Sequence, residues 1–175
     1  PLVALIAGQR LSWPGLTLDV LAPLRDPPPV DDHEAEVEGT AVNNTSVVLR
    51  ATTTAGRLLL TGDVELDAQV DLLASGQDLR ADVLKVAHHG SRFNAEQFLA
   101  AVRPRVAIIS VGAHNRYGHP SQHVIDVLAA AGTRVMRTDL NGDVAVAGGP
   151  SLQVVARGGK AGAVSSQDFR REPTR

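Results

Sequence analysis

A chain of 175 residues is long enough for one domain with a sizeable core. Hydrophobic residues make up 43% but aromatic ones only 3%, so the core must be built from Val, Leu, Ile and Ala, and the net charge of −2 excludes the overall basic footprint of a passive nucleic-acid binder. The absence of cysteine excludes disulfides and thiolate metal sites and leaves the compartment open.

In chain order, PLVALIAG (1–8) reads as a strand: it is apolar, has no basic segment before it, and falls far short of the roughly 20 residues that span a bilayer. LTLDVL (16–21) alternates with strand period. The run from Ala22 to Asn44 is rich in proline and acid and has no hydrophobic period, so it reads as a long mobile loop, with His33 in a solvated charge run. TSVVLRATT and RLLLTGD read as a hairpin turning at Ala55-Gly56, with Asp63 just past the apolar run. LDAQVDLLASG places Leu66, Val70 and Leu73 at helical spacing and stops at Gly76. The pattern then repeats: strand ADVLKVA into HHGS, helix AEQFLAAV, strand PRVAIISVG into AHNRYGHPS, helix QHVIDVLAAAG. TRVMRTD, GDVAVAG and LQVVARG read as short strands with a tight turn at Asn141-Gly142. Residues 1–157 thus form the domain, and 158–175 read as a polar, disordered tail.

Strand-loop-helix alternation implies an open α/β sheet covered by helices, and in such sheets ligands gather outside the carboxyl ends of the strands. Asp63, the His88–His89 pair and the loop from His114 to His119 each follow an apolar run, so all three are expected on one rim. Carboxylate and imidazole groups converging on one point suit zinc, manganese or iron, and a two-metal pair activates water and binds phosphate oxygens. On an extended backbone consecutive side chains point to opposite sides, so one of His88 and His89 is expected to be a ligand. The other orients it, contacts substrate or protonates a leaving group, while Gly90 allows close backbone approach and Ser91 offers a hydroxyl. Taken singly, each feature also has a plain structural role: Asp63 as a turn or cap residue and His119 in loop packing, with His114 and His123 on the surface.

Taken together, NNTSVVLR, LLLTGDVE, DVLKVAHHGS, ISVGAHNRYGHP and MRTDLNGDV resemble, in order and spacing over residues 15 to 148, the carboxy-terminal metallo-β-lactamase-like domain of the ComEC family, the DNA-uptake channel of bacterial competence. The resemblance implies an αββα sandwich carrying two divalent ions, zinc or manganese, and hydrolysis of the DNA strand that is not imported. Parent proteins of that family are integral to the cytoplasmic membrane, with the resembling domain a soluble appendage on its outer face. Carried over, Asp63 becomes the bridging carboxylate, the HHGS pair supplies the late histidine ligand, and His119 lies near the scissile phosphate or behind a ligand. Asn44 and Ser46 match NNxS, and Asn115, Tyr117, Gly118, His119 and Pro120 match NxYGHP. Arg92 and Arg116 each adjoin a motif and are placed to meet phosphate oxygens.

The expected site therefore has His88 and His119 as catalytic groups and Asp63, His88 and His89 as metal ligands. Asn44, Ser46, Ser91, Arg92, Asn115, Arg116 and Tyr117 stand on the substrate side. Lys85, Arg92, Arg103, Arg105 and Arg116 are expected to make this rim basic, with the acidic run Asp31 to Glu38 pointing elsewhere.

Two departures from the family pattern stand out. After HHGS comes Arg92-Phe93-Asn94 where the family commonly continues with Lys and small hydroxyl residues, and the fold's first metal motif, H-x-[HD]-x-D-H, does not occur. The chain thus corresponds to the carboxy-terminal half of the sandwich. It is expected to expose an apolar sheet face and to pair with the missing amino-terminal half or with a second copy. Its expected partners are single-stranded DNA and the remainder of a membrane-integral channel. Two other functions compete: a non-catalytic DNA-guiding or assembly module without metals, and a stand-alone metallo-hydrolase of small phosphodiesters.

Overall fold

The computed structural model describes residues 4–24, 39–148, 151–158 and 165–170. Seven strands form one mixed sheet in chain order: β1 (Arg10–Trp13), β2 (Leu16–Ala22), β3 (Val48–Thr53), β4 (Gly56–Leu60), β5 (Val83–Lys85), β6 (Val106–Ile109) and β7 (Arg134–Arg137). β1 to β4 form an antiparallel meander and β4 to β7 run parallel. Parallel neighbours need crossover connections, and three helices supply them: α2 (Leu66–Ala74), α3 (Glu96–Val102) and α4 (Gln122–Ala130). All three cover one sheet face, packing around Val48, Leu59, Leu72, Leu84, Phe98, Ile109 and Leu128. Two short helices, α1 (Gly39–Asn43) and α5 (Thr138–Asn141), and a tight helical turn at Ala87–Gly90 complete the helical elements among the described residues.

A second, antiparallel sheet of β8 (Asp143–Ala147), β9 (Ser151–Arg157) and β10 (Ser165–Arg170), in the order β10-β9-β8, packs on the opposite face. Its Leu152, Val154 and Ala156 meet Val83, Val106 and Met136. The protein is thus an α/β sandwich of helices, large sheet and small sheet. Strand alternation puts Leu58 and Leu60 on the small-sheet face, with Leu60 paired across to Leu49 and 38% exposed.

Several sequence expectations need correction. Ala4–Ile6 belong to no strand. The first strand is instead the polar RLSW, because the two-residue turn Pro14-Gly15, with Gly15 at φ +80°, zips Trp13 onto Leu16. The β3–β4 hairpin turns at Thr54-Ala55, one residue earlier than expected, since Thr53 already pairs with Gly56. Helix α2 turns Gln69 and Leu72 inward and leaves Leu66 and Val70 43% and 56% exposed, because the amide of Gln69 finds all its partners inside. Asn141-Gly142 closes no hairpin. It carries the chain from the large sheet to the small one, with Gly142 at φ +69° where a Cβ would strike the carbonyl of Arg157. The polar tail contributes β10, whose pairing with β9 uses backbone groups that any sequence carries. The acidic run Asp31 to Glu38 and His33 lie outside the described residues.

On the helix-covered face, Asp19 of β2 holds Arg10 and Arg50, and Arg50 also reaches Asp78. These residues line a cleft of about 450 Å³ with Gly8, Gln9 and Gln77. The hydrogen bond from Arg10 holds the Asp19 carboxyl below its usual range against the opposing effect of burial, and Arg50 adds to the lowering. Asp19→Asn is expected to cost about 1–3 kcal/mol of stability in urea unfolding at neutral pH. Because the folded-state value lies below the unfolded one, this contribution is full above about pH 4 and is lost as the pH falls through the lowered value, so wild type and variant should converge in acid.

Candidate active site

The parallel strands β4, β5 and β6 end on one rim, and the loops that leave them carry Asp63, His88–His89 and Ser110–His119. Thr61 ties the first two ends together, its buried hydroxyl donating to the carbonyl of Lys85 at 2.6 Å. Gly62, at φ +52°, packs so closely on Ser46 that a Cβ would come within 2.7 Å of the serine Cβ. Its carbonyl accepts the N–H of His88 at 3.1 Å.

The NNTS segment grips the loop that carries Asp63. Ser46 Oγ accepts the N–H of Asp63 at 3.2 Å, Asn44 Oδ1 accepts the N–H of Glu65 at 2.8 Å, and Asn43 Nδ2 donates to Glu65 Oε1 at 2.9 Å. Asn44 and Ser46 thus act here on the protein's own backbone.

His88 and His89 are not extended. Both sit in left-handed conformation, φ/ψ of 45°/50° and 53°/24°, inside a tight turn from Ala87 to Gly90. The alternation argument for opposite sides therefore does not apply, and each ring meets its own acid. His88 Nδ1 is 2.8 Å from Glu65 Oε1, a close approach whose angle makes no directed hydrogen bond. His89 Nδ1 lies 2.7 Å from the carbonyl of Ser110, which can only accept, so the neutral ring carries its proton there and turns the lone pair of Nε2 outward. That Nε2 is 3.8 Å from Asp63 Oδ1, too long for a hydrogen bond and near the spacing of two ligands on one ion.

The Ser110–His119 loop closes the far side. Ser121 donates to the carbonyl of Gly90 at 2.7 Å, and a Cβ on Gly90 would meet Pro120 at 2.7 Å. Within the loop Asn115 is a brace: its Oδ1 accepts the N–H of Tyr117 at 2.6 Å and its Nδ2 donates to the carbonyl of His119 at 3.1 Å. His119 comes within 5.3 Å of His88, ring centre to ring centre, and lies nearly parallel to Tyr117 at 6.1 Å. Burial lowers the pKa of His119, and the neighbouring His88 and His89 lower it further, so the ring is neutral at pH 7.

The remaining candidates divide. Ser91 is 1% exposed and its Oγ accepts the N–H of Phe93, so burial removes it from any substrate contact. Arg92 is exposed and lies over the Phe93 ring, and Arg116 is exposed beside Tyr117. Lys85 stands at the carboxyl end of β5, where burial pushes its ammonium below the usual value while Asp63 opposes the shift. Arg103 and Arg105 do not belong to the basic rim. They precede β6, and Arg105 lies at the strand-start end, 4.0 Å from Asp82. His114 and His123 are exposed, as expected.

Sequence reasoning missed Glu65 and Gln69, 4% and 0% exposed. Gln69 donates to the carbonyls of Val64 at 2.9 Å and Phe93 at 3.1 Å and accepts the N–H of Ala95 at 2.7 Å, clamping the Asp63 loop to the loop after HHGS. The available signal was a polar residue one position before the apolar Val70 of α2.

The donor set fits an ion only in part. Asp63 and His89 have ligand-like chemistry and spacing, but among the described residues no three His, Asp or Glu side chains converge as a metal site would require. Among the described residues, no helix is long and apolar enough to cross a membrane.

No protein-family model matches the sequence. Among curated proteins, the chain is 43% identical over 103 residues to ComE operon protein 3 of Bacillus subtilis, covering 58% of this chain and 13% of the relative. It is 35% identical over 138 residues to Competence protein ComA of Neisseria gonorrhoeae, with 78% and 18% covered. It is also 34% identical over 142 residues to Recombination protein 2 of Haemophilus influenzae, with 80% and 16% covered. The chain belongs to the ComEC family. It spans less than a fifth of the length of these ComEC-family relatives.

Gln69→Leu should strip one N–H and two carbonyls, buried or partly buried, of their side-chain partner and cost about 3 kcal/mol, read as a lowered midpoint in chemical unfolding. In a histidine-resolved NMR titration, His119 should titrate below the ordinary imidazole value near 6.5, and His88→Ala should move it upward.

Proposed function

We infer that this chain serves competence as part of a DNA-uptake protein and is the carboxy-terminal half of a metallo-β-lactamase-like domain that hydrolyses DNA phosphodiesters. The observation that carries the reading is the Asp63–His89 pair, 3.8 Å apart, with the far nitrogen of His89 anchored on a backbone carbonyl. Such anchoring is how metal-binding histidines are oriented. A divalent ion, zinc or manganese, would supply Lewis acidity and an activated water there. The remaining ligands come from outside the described residues, in keeping with the missing H-x-[HD]-x-D-H motif. Leu60, 38% exposed beside the partly buried Leu49, offers the rest of the sandwich an apolar contact. A second copy of the chain is the other partner for that contact.

The chain's own residues have defined tasks in this reaction. His88 has its Nδ1 2.8 Å from Glu65 Oε1, which leaves its other nitrogen free to exchange a proton with the leaving oxygen. His119, neutral at pH 7, accepts a proton or a hydrogen bond at the same place. Arg92 and Arg116, exposed on the same rim, meet the phosphate oxygens of a single strand. The parent protein is a channel in the bacterial cytoplasmic membrane, with this domain on its outer side.

The second reading, a DNA-guiding or assembly module without metals, draws on the absence of a three-ligand group among the described residues. It differs from the first in predicting DNA binding that is indifferent to chelator. Metal content and manganese- or zinc-dependent cleavage of single-stranded DNA should be measured for this chain and for a form extended at its amino terminus. The extended form should bind metal and cleave, and Asp63→Ala should lower its cleavage by on the order of 100-fold or more. Undiminished cleavage in that variant, or metal-free inactive protein in both forms, sinks the nuclease reading.

A further inference from the structure

Tyr117 is the only tyrosine in the chain, and 86% of it is exposed. A ring left in water contributes nothing to the core, yet the loop beneath it is braced. Asn115 takes the N–H of Tyr117, ties the carbonyl of His119, and is itself held by the carbonyl of Gly112 at 3.1 Å. Gly118, at φ +73°, turns the chain between the two rings so that Tyr117 lies within 18° of parallel to His119. From there the rings form a file. His119 meets His88 edge-on at 5.3 Å, His88 meets His89 at 6.2 Å, and His89 faces Asp63. The outer end of the file is a flat aromatic face open to solvent, and the residue before it in the chain is the exposed Arg116.

We propose that Tyr117 is a stacking platform for an unpaired nucleobase, which seats a single strand with its phosphate toward His119 and the Asp63 rim. The inference rests on the nuclease reading for the nature of the ligand and adds to it how the strand is held. Bases in a duplex hide their faces in the stack, whereas every unpaired base offers one, so such a platform selects single strands and tolerates any sequence. The charge of the exposed Arg116, next to Tyr117 in the chain, fits the backbone that accompanies the base.

The test uses two probes of equal length, an oligothymidylate and an abasic deoxyribose-phosphate strand, each titrated in chelator against this chain and against its Tyr117→Phe and Tyr117→Ala variants. Wild type and Tyr117→Phe should bind the thymidylate strand about tenfold more tightly than the abasic one, and Tyr117→Ala should bind both alike. Circular dichroism on the variants confirms the fold, which a substitution at so exposed a position should leave intact. Equal binding of the two strands by wild type, or a preference that survives in Tyr117→Ala, overturns the proposal. The two readings fail separately. Cleavage by the extended form without base preference retains the nuclease and removes the platform. Base preference without metal-dependent cleavage retains the platform and removes the nuclease.

Discussion

A carboxylate taken out of water costs several kcal/mol unless other groups replace its hydration, and Glu65 is one such carboxylate at the start of α2. Its compensation explains the geometry of the rim. Asn43 donates to the carboxylate, Asn44 takes the backbone N–H, and the ring of His88 lies against the same oxygen that Asn43 reaches. Because Asp63 stands two residues earlier, its backbone held by Ser46, whatever fixes Glu65 also fixes the acid that faces His89. Gln69, one turn along the helix, secures the same loop from below.

The paired histidines are the strained part of this arrangement. Two successive non-glycine residues in left-handed conformation carry a penalty of roughly 1–2 kcal/mol each. The surroundings hold them there: Gly62 takes the His88 N–H, Ser91 returns a bond to the His88 carbonyl, and Asn94 donates to the carbonyls of Ala87 and Ser91. An extended segment would have separated the two rings across the strand. The turn instead delivers them to two different carboxylates of one loop.

The layout of the rim was legible in the sequence because it depends on period. Apolar runs ending in Asp63, His88 and the 114–119 loop mark the carboxyl ends of three neighbouring parallel strands, and the intervening helical spacings mark crossovers on one face. What escaped depends on contacts that spacing does not encode. Gln69 reads as polar and therefore exposed, until its three backbone partners are known. Glu65 reads as an acid at a helix start, and the left-handed turn of His88 and His89 carries no glycine to announce it at those positions. Arg103 and Arg105 lie close in sequence to the rim residues but at the opposite end of the strands, since a short parallel strand carries the chain from one end of the sheet to the other within four residues.

The bonds that build the rim all join neighbours in the succession of strand-loop-helix units. Ser46 to Asp63, Asn44 to Glu65, Gln69 to Phe93, His89 to Ser110 and Gln69 to Ala95 span 17 to 26 residues each. Local closures of this kind have low entropic cost and favour fast assembly. On a growing chain, each unit can therefore dock on the one before it as it emerges, and the rim between residues 43 and 121 takes shape in the order of its synthesis.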